Sequence, residues 1–451
     1  MSITLSITLA TIGFLVAWVL LLVSVFKGHS PTYMALVCSI IVLVTTGQNV
    51  SEGIMGVYMG GLASLAAQCL PLILMGAIMG QIYTDSGAAT SIAFALSDKL
   101  MINVSLRLRK TLTIALIYSL GCLLCYGGVD SYAMLFTLIP LTLVFFEAAD
   151  IPRKYAPAVG IHTSVICLGG VAAPTFYNIF PSLEMGTTPK AGLTVGVIAL
   201  VINVVGGILL TSFYVARDEK KGQGGFDWGK ARKPEYNKDN LPNPIVAVIP
   251  LLVAMILFIV LNLHFVVAIG IGVILSLILF HNNFLVVLGS TKNLAFAGIL
   301  TKGATAGVTG AMVTCSMAAF GAVAQTNPMF AGIVDWLVKL PVSPVIMYAI
   351  MVAALGFLIC STIAGFRIGL NALLGIEGHM GLPFEVLHRV GAQTASAFNL
   401  APYTGVVFVS MNMSGLSPRE GYSTILKIPG VLMISATIVS CILYTFFPAL
   451  P

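Results

Sequence analysis

Met75-Gly-Ala-Ile-Met-Gly-Gln-Ile-Tyr-Thr-Asp-Ser-Gly87 can be laid on Met317-Ala-Ala-Phe-Gly-Ala-Val-Ala-Gln-Thr-Asn-Pro-Met329, so that Thr84-Asp85 faces Thr326-Asn327. The register, shortened by small deletions, then sets Gly128-Val-Asp130 against Gly365-Phe-Arg367 and Ile151-Pro152 against Leu382-Pro383. It ends with Ala173-Pro-Thr175 against Ala401-Pro-Tyr403. A drift in one direction is what a duplicated unit produces; the reading is weighed against chance similarity among glycine-rich apolar segments. Duplicated units with interrupted helices are the plan of many secondary transporters.

The surroundings of these segments name their solvent. Hydrophobic residues make up 58% of the 451 and charged residues 8%, with a mean hydropathy of +1.02. A water-soluble domain carries about a quarter charged residues. Lipid is therefore the solvent, and the runs Thr4–Phe26, Tyr33–Val44, Thr111–Tyr126, Tyr132–Phe146, Gly192–Val215 and Ile245–Leu261 read as helical spans. The segments lack the polar/apolar alternation of a β-barrel. The expected fold is an all-α polytopic membrane protein of two inverted-topology repeats, with broken helices or re-entrant hairpins and about 11–14 transmembrane segments. The first run lacks a basic lead-in and is long for a signal peptide, so it reads as the first span.

The net charge of +6 does not point to nucleic acid, because the basic residues sit in loops. Lys99, Arg107, Arg109 and Lys110 form one basic loop, Arg153-Lys154 a second, and Arg217 to Asn243 a third. Two apolar segments separate each loop from the next, so all three share one face, assigned to the cytoplasm. Lys27 ends the first span on that face, which puts the N-terminus outside. The expected units are a first membrane repeat at 1–216, a cytoplasmic linker at 217–243 and a second repeat at 244–451. In the second repeat only Lys339 and Arg389 read as loop basics over the matching region, as an inverted copy requires. Parity also requires an odd number of crossings over residues 54–97, read as one span plus a re-entrant hairpin with its tip near Asp85. The eight cysteines lie in apolar stretches, and Cys122-Leu-Leu-Cys125 has no second ligand pair, so no metal or redox cofactor is expected.

Chemistry is sought where charge or hydrogen bonding meets apolar surroundings. Arg367 stands in an otherwise uncharged stretch; burying it at membrane depth costs at least about 2.5–3.5 kcal/mol, so it needs a partner or a cavity. Its fork suits a carboxylate, either a substrate's or that of Asp130 in a structural pair. Asp85 and Asp130 are candidates for proton coupling, since burial favours a carboxyl's protonated form. Asp85 is also readable as the organiser or cap of its turn, with Ser86 and Gly87 offering backbone N–H groups to an anion. His162 is a candidate relay, weighed against a core histidine with satisfied partners. The other interruptions supply Thr326 and Asn327, then Thr175 and Asn178, then Thr404. Substrate contacts are therefore expected among Ser86, Gly87, Thr175, Asn178, Thr326, Asn327, Arg367 and Thr404, with Asp85, Asp130 and His162 for the proton.

Residues 76–93, with their Gly76-x-x-x-Gly80 pair followed by Asp85-Ser-Gly-Ala-Ala and Ile92-Ala93, resemble the signature of the gluconate permease family. The order that follows is also similar: a glycine-rich break, a span ending in Ile139-Pro-Leu, a cytoplasmic turn, Gly-Ile-His162 and a motif at Pro174. The resemblance implies proton-coupled uptake of gluconate-like or small hydroxy-monocarboxylates, and the inverted repeats of the ion transporter superfamily. The family's proline-rich element appears only as Ala172-Ala-Pro-Thr-Phe-Tyr-Asn178, and its Ser-Gly-rich second tip as Thr326-Asn-Pro-Met329.

The expected function is secondary active import of a small organic anion by proton symport through alternating access, in a bacterial inner membrane. The coupling ion is H+, with Na+ held by tip carbonyls, Asn327 and Thr326 as the variant. The rivals are a cation/proton antiporter, with Asp85 and Asp130 as cation ligands, and an intramembrane enzyme, for which no catalytic motif stands out. The partners are the anion and the bilayer, with no nucleic acid; a homo-oligomer is compatible with this reading.

Overall fold

The computed structural model describes residues 3–27, 29–100, 104–231, 240–288, 292–359, 361–375, 380–401 and 404–450. Arg232, Lys233 and Lys238 of the linker, and Pro402 and Tyr403 of the last interruption, lie outside them. The described residues form 21 α-helices and no strand.

Helix starts follow from the sequence. In lipid every orphan N–H of a helix start needs a partner. Ser30-Pro31, Asn243-Pro244, Asn327-Pro328, Ser343-Pro344 and Ser417-Pro418 each put an oxygen-bearing side chain just before a proline at the first helical position. The side chain accepts an N–H, and the proline has none to satisfy.

In chain order the first half holds α1 (Ile3–Phe26), α2 (Pro31–Thr45), α3 (Val50–Glu52) and α4 (Met59–Asp85). It continues with α5 (Ala88–Leu100), α6 (Leu106–Tyr126), α7 (Ser131–Ala149), α8 (Ala156–Leu168), α9 (Phe176–Met185) and α10 (Leu193–Lys220). A π-helical turn at Gly53–Tyr58 joins α3 to α4 without a break. The second half runs α11 (Pro244–Met255), α12 (Phe265–Leu279), α13 (His281–Leu288), α14 (Lys292–Gln325) and α15 (Pro328–Val338). It closes with α16 (Pro344–Leu358), α17 (Thr362–Leu374), α18 (Phe384–Phe398), α19 (Gly405–Met413), α20 (Pro418–Ile425) and α21 (Val431–Phe446). The element order is thus the same twice: a pair of helices, a long helix, a short one, a helical hairpin, a broken helix and a closing helix. Among the described residues, six helical stretches are long and apolar enough to cross a bilayer by themselves. Many of the remaining apolar segments are shorter helices.

Packing repeats with the order. The long helices α4 and α14 lie against each other, α2 packs on α14, and reciprocally α12 packs on α4. Gly61 meets Ala318 and Ala322, Gly307 meets Leu74, and Gly303 meets Ile78, so α4 and α14 run antiparallel along their length. Small residues allow that approach, because helix association in lipid relies on close packing rather than on a hydrophobic drive. The broken helices cross-pack likewise, α9 on α18 and α19 on α8.

Residues 50–97 hold no re-entrant hairpin. They form one long helical run and then α5, and the helical hairpins are α6–α7 and α16–α17. The linker folds under the first hairpin. Lys110 on α6 is 4% exposed and its ammonium reaches the Glu219 carboxylate and the Asp150 carbonyl. Trp228 Nε1 donates to Glu147 at 2.8 Å, and Arg153 donates to the carbonyls of Trp228 and Gly415. Lys154 pairs with Asp218 at 2.5 Å, and Tyr155 donates to the same carboxylate. Burial first, then that bond, pushes the Tyr155 phenol above its ordinary range, so it remains a donor.

Glu52 and Gln223 are both exposed, the first at the start of the long helix and the second in the linker. With parity as derived, a cysteine at Glu52 reacts with an impermeant maleimide only from outside, and one at Gln223 only from the cytoplasmic face. Labelling of right-side-out and inside-out vesicles checks this, and labelling of both from one side overturns the parity.

Candidate functional site

The two hairpin tips and the two helix breaks meet around one cavity of about 140 Å³. Tip one contributes Gly128, Val129, Asp130 and Ser131, and tip two contributes Ser361 and Thr362. The first break supplies Pro174 and Thr175, and the second Asn399 and Thr404. Thr314 on α14 lies on the wall.

Each tip is a helix end with a physical cause. Gly128, at φ +93°, closes α6: its N–H goes to Cys125 O and that of Val129 to Leu124 O, a turn that asks for glycine. Ser361 caps α17 by accepting from the Ala364 N–H. In hairpin two, α16 and α17 touch backbone to backbone, since a Cβ on Gly365 would stand 2.1 Å from the Gly356 nitrogen. Each tip is seated on a long helix: Gly76 and Gly80 of α4 receive Asp130 and Ala133, and Gly321 of α14 receives Ile359. The Gly76-x-x-x-Gly80 pair is therefore a groove for hairpin one.

The breaks are built alike. Thr175 precedes α9, and its hydroxyl donates back to Leu168 O at the end of α8. Thr404 precedes α19, and its hydroxyl donates back to Asn399 O at the end of α18, at 2.7 Å. Neither threonine side chain caps the helix it precedes. Ala172, at φ +61°, holds a left-handed conformation inside the first break, a strain of the kind that gathers at functional sites. Tyr177 and Thr362 share a hydrogen bond of 2.6 Å, tying the first break to tip two.

Of the residues expected from sequence, Asp130, Thr175 and Thr404 line the cavity. Asn178 lies just behind it: its amide donates to Gly170 O and Ala173 O and so holds the break's shape. The rest lie elsewhere. Asp85, Ser86 and Gly87 are the end of α4, not a mid-membrane tip. Gly87 meets Leu241, and Ser91 donates to Pro242 O, so this corner abuts the end of the linker. Ser86, not Asp85, accepts from the Ala88 N–H, while Asp85 bonds Gln81 and stands 3.6 Å from Lys302. Thr326 and Asn327 form the corresponding corner of α14: Thr326 bonds Gln48, and Asn327 donates to Ala10 O.

Arg367 lies inside α17 and does not line the cavity. The break at 127–130 matches the one at 359–361, so the position equivalent to Asp130 is Ser361. Six residues along a helix carry Arg367 about 9 Å from that tip. Half-buried, it donates to Ser64 Oγ at 2.9 Å and lies over the Phe180 ring rather than pairing with Asp130. His162 is fully buried off the cavity, with Tyr118 on Nδ1 and Asn203 on Nε2, as a satisfied core histidine would be. Arg389, read as a loop basic, is also fully buried. The lining residues missed from sequence, Ser131, Thr314, Ser361, Thr362 and Asn399, are small polar groups beside glycines or turns, a signal weaker than a charge.

The fold is shared by a solved structure. The chain superimposes on the Alcanivorax borkumensis YdaH transporter, whose crystal structure reveals an unusual topology, with a TM-score of 0.55 over 89% of this chain and 90% of that one, at 15% identity. It has the fold of a membrane transporter. It is also 25% identical over 464 aligned positions to the uncharacterized transporter YxjC of Bacillus subtilis, covering 92% of this chain and 94% of that protein. No family profile matches. The curated relative supports a transporter role, the solved structure shows the fold, and neither is described as a gluconate permease.

A Cβ at residue 80 would stand 2.3 Å from that of Ala133, which cannot swing away, whereas one at Gly60 meets nothing within 4 Å. Gly80→Ala is therefore expected to lower stability by about 1–3 kcal/mol, and Gly60→Ala to leave it nearly unchanged. Thermal unfolding of both variants in detergent makes the comparison; equal effects would contradict the seating of tip one.

Proposed function

We propose that the protein is a secondary active transporter that moves a small organic anion together with protons by alternating access. One observation carries this reading: four helix N-termini, those of α7, α9, α17 and α19, converge on the cavity. Each brings roughly half a positive charge, and the starts of α9 and α19 have no side-chain cap. The two threonines at the breaks turn their hydroxyls backward, which leaves the starts of α9 and α19 without side-chain caps toward the cavity.

Size narrows the substrate. A cavity of about 150 Å³ holds benzene, so 140 Å³ suits a solute of about six to eight heavy atoms. A hydroxy-monocarboxylate of three or four carbons fits, and gluconate requires a wider state of the site. The hydroxyls of Ser131, Ser361 and Thr362 suit a hydroxylated chain.

Charge supplies the coupling. Asp130 is the carboxylate in the lining. An anion and an ionised Asp130 repel each other in a low dielectric. The anion enters when Asp130 carries a proton, and loss of that proton on the other side expels it. A sodium ion bridging the two carboxylates is the variant of the same logic. The cation/proton antiporter reading rests on Asp130 alone and sets its cation against four positive helix ends. Antiparallel packing of the equivalent helices α4 and α14 supports the inverted repeat that alternating access exploits. Placement in a bacterial inner membrane belongs to this proposal.

Purified protein in liposomes, given labelled lactate, glycerate or gluconate with an inward proton or sodium gradient, tests the reading. Proton-driven accumulation that a protonophore abolishes is expected. Asp130→Asn should lose gradient-driven accumulation and keep carboxylate exchange. Cation-dependent proton movement with no carboxylate uptake under either gradient would replace symport with antiport.

A further inference from the structure

Arg389 is completely buried, and the acceptors of its hydrogen bonds are neutral. On α18 its Nε donates to Ala191 O at 2.9 Å, and Nη2 to Pro189 O and Ala191 O. Its Nη1 donates to Gly169 O at 2.9 Å and Asn178 Oδ1 at 3.1 Å. Among the described residues no carboxylate pairs with it, and the neighbouring His388 imidazole is bonded to Thr187 and Asn178. A buried charge without a counter-ion is expensive, and the fully hydrogen-bonded fork only partly offsets that cost.

The placement explains why such a group is kept. Gly169 ends α8, so the guanidinium caps the negative end of that half-helix. Its two contacts toward the cavity are each one residue from the lining: Gly169 follows Leu168, and Asn178 follows Tyr177. The other contacts grip the turn between α9 and α10. One side chain from the second repeat thus holds both sides of the first repeat's break and sets a permanent positive charge behind its wall.

We propose that Arg389 is the positioning residue of this site, and that its fixed charge, with the substrate as missing counter-ion, selects anions over neutral solutes. This rests on the anion-transport reading above. The group acts through Gly169 and Asn178 and through its field, without touching the solute.

Arg389→Lys keeps the charge and loses the fork; Arg389→Gln keeps hydrogen bonding and loses the charge. Both are compared with wild type in proteoliposomes, using whichever of labelled lactate, glycerate and gluconate the wild type accumulates best. Competition by that carboxylate and by its amide is measured alongside. The Gln variant should raise KM for the carboxylate on the order of tenfold, change kcat less, and lose the preference over the amide. The Lys variant should keep KM within about threefold of wild type and keep the preference. A Gln variant with unchanged KM and preference overturns the proposal, as does a Lys variant as impaired as the Gln variant. If the Gln variant does not reach the membrane, the Lys variant decides by the same criterion. Wild-type protein that takes up no carboxylate removes the anion reading itself, an outcome distinct from failure of the variants.

Discussion

A backbone N–H or C=O inside a bilayer has no water to turn to, and each one left without a partner costs several kcal/mol. A chain that interrupts its helices four times at one place must either satisfy those groups or reserve them for a ligand. Here the two needs are divided by direction. The C-terminal sides of the breaks are satisfied: Leu168 O by Thr175, Gly169 O by Arg389 and Asn399 O by Thr404. The N-terminal sides of α9 and α19 are left without side-chain caps and face the cavity. Acceptors are consumed inside the protein while donors are held out, which gives an otherwise apolar pocket its polarity.

The same constraint sets the rest of the architecture. Broken helices survive at membrane depth only when other protein covers them. Hairpin tips seated on α4 and α14 supply that cover, and the glycines at 76, 80 and 321 bring the tips close enough. Lys110, Arg153 and Lys154 then gather the ends of α6, α7 and α10 with the linker.

Much of this was legible in the sequence, and the failures have definite causes. The membrane class, the doubling of elements, Asp130 and the threonines at 175 and 404 were all readable, because charge and proline are conspicuous in apolar runs. Thr84 to Gly87 and Thr326 to Asn327 looked alike and polar, but composition does not tell a helix that ends at the surface from one that breaks at mid-membrane. The Gly76 and Gly80 pair reads equally as a bend or as a groove, and only the partner helix decides. Arg367 drew attention through its charge, while Ser361 and Thr362, a few residues earlier, hold the equivalent tip. Arg389 reads as a loop residue because the first turns of a short half-helix resemble a loop end along the chain.

The linker docked beneath the first hairpin has an evolutionary consequence. A transporter assembled from two separate identical subunits must place every mutation in both halves, so a carboxylate at one tip would appear at the other as well. Covalent joining removes that symmetry. Asp130 at one tip can then face Ser361 at the other, and a cationic side chain can enter one half only to brace its neighbour.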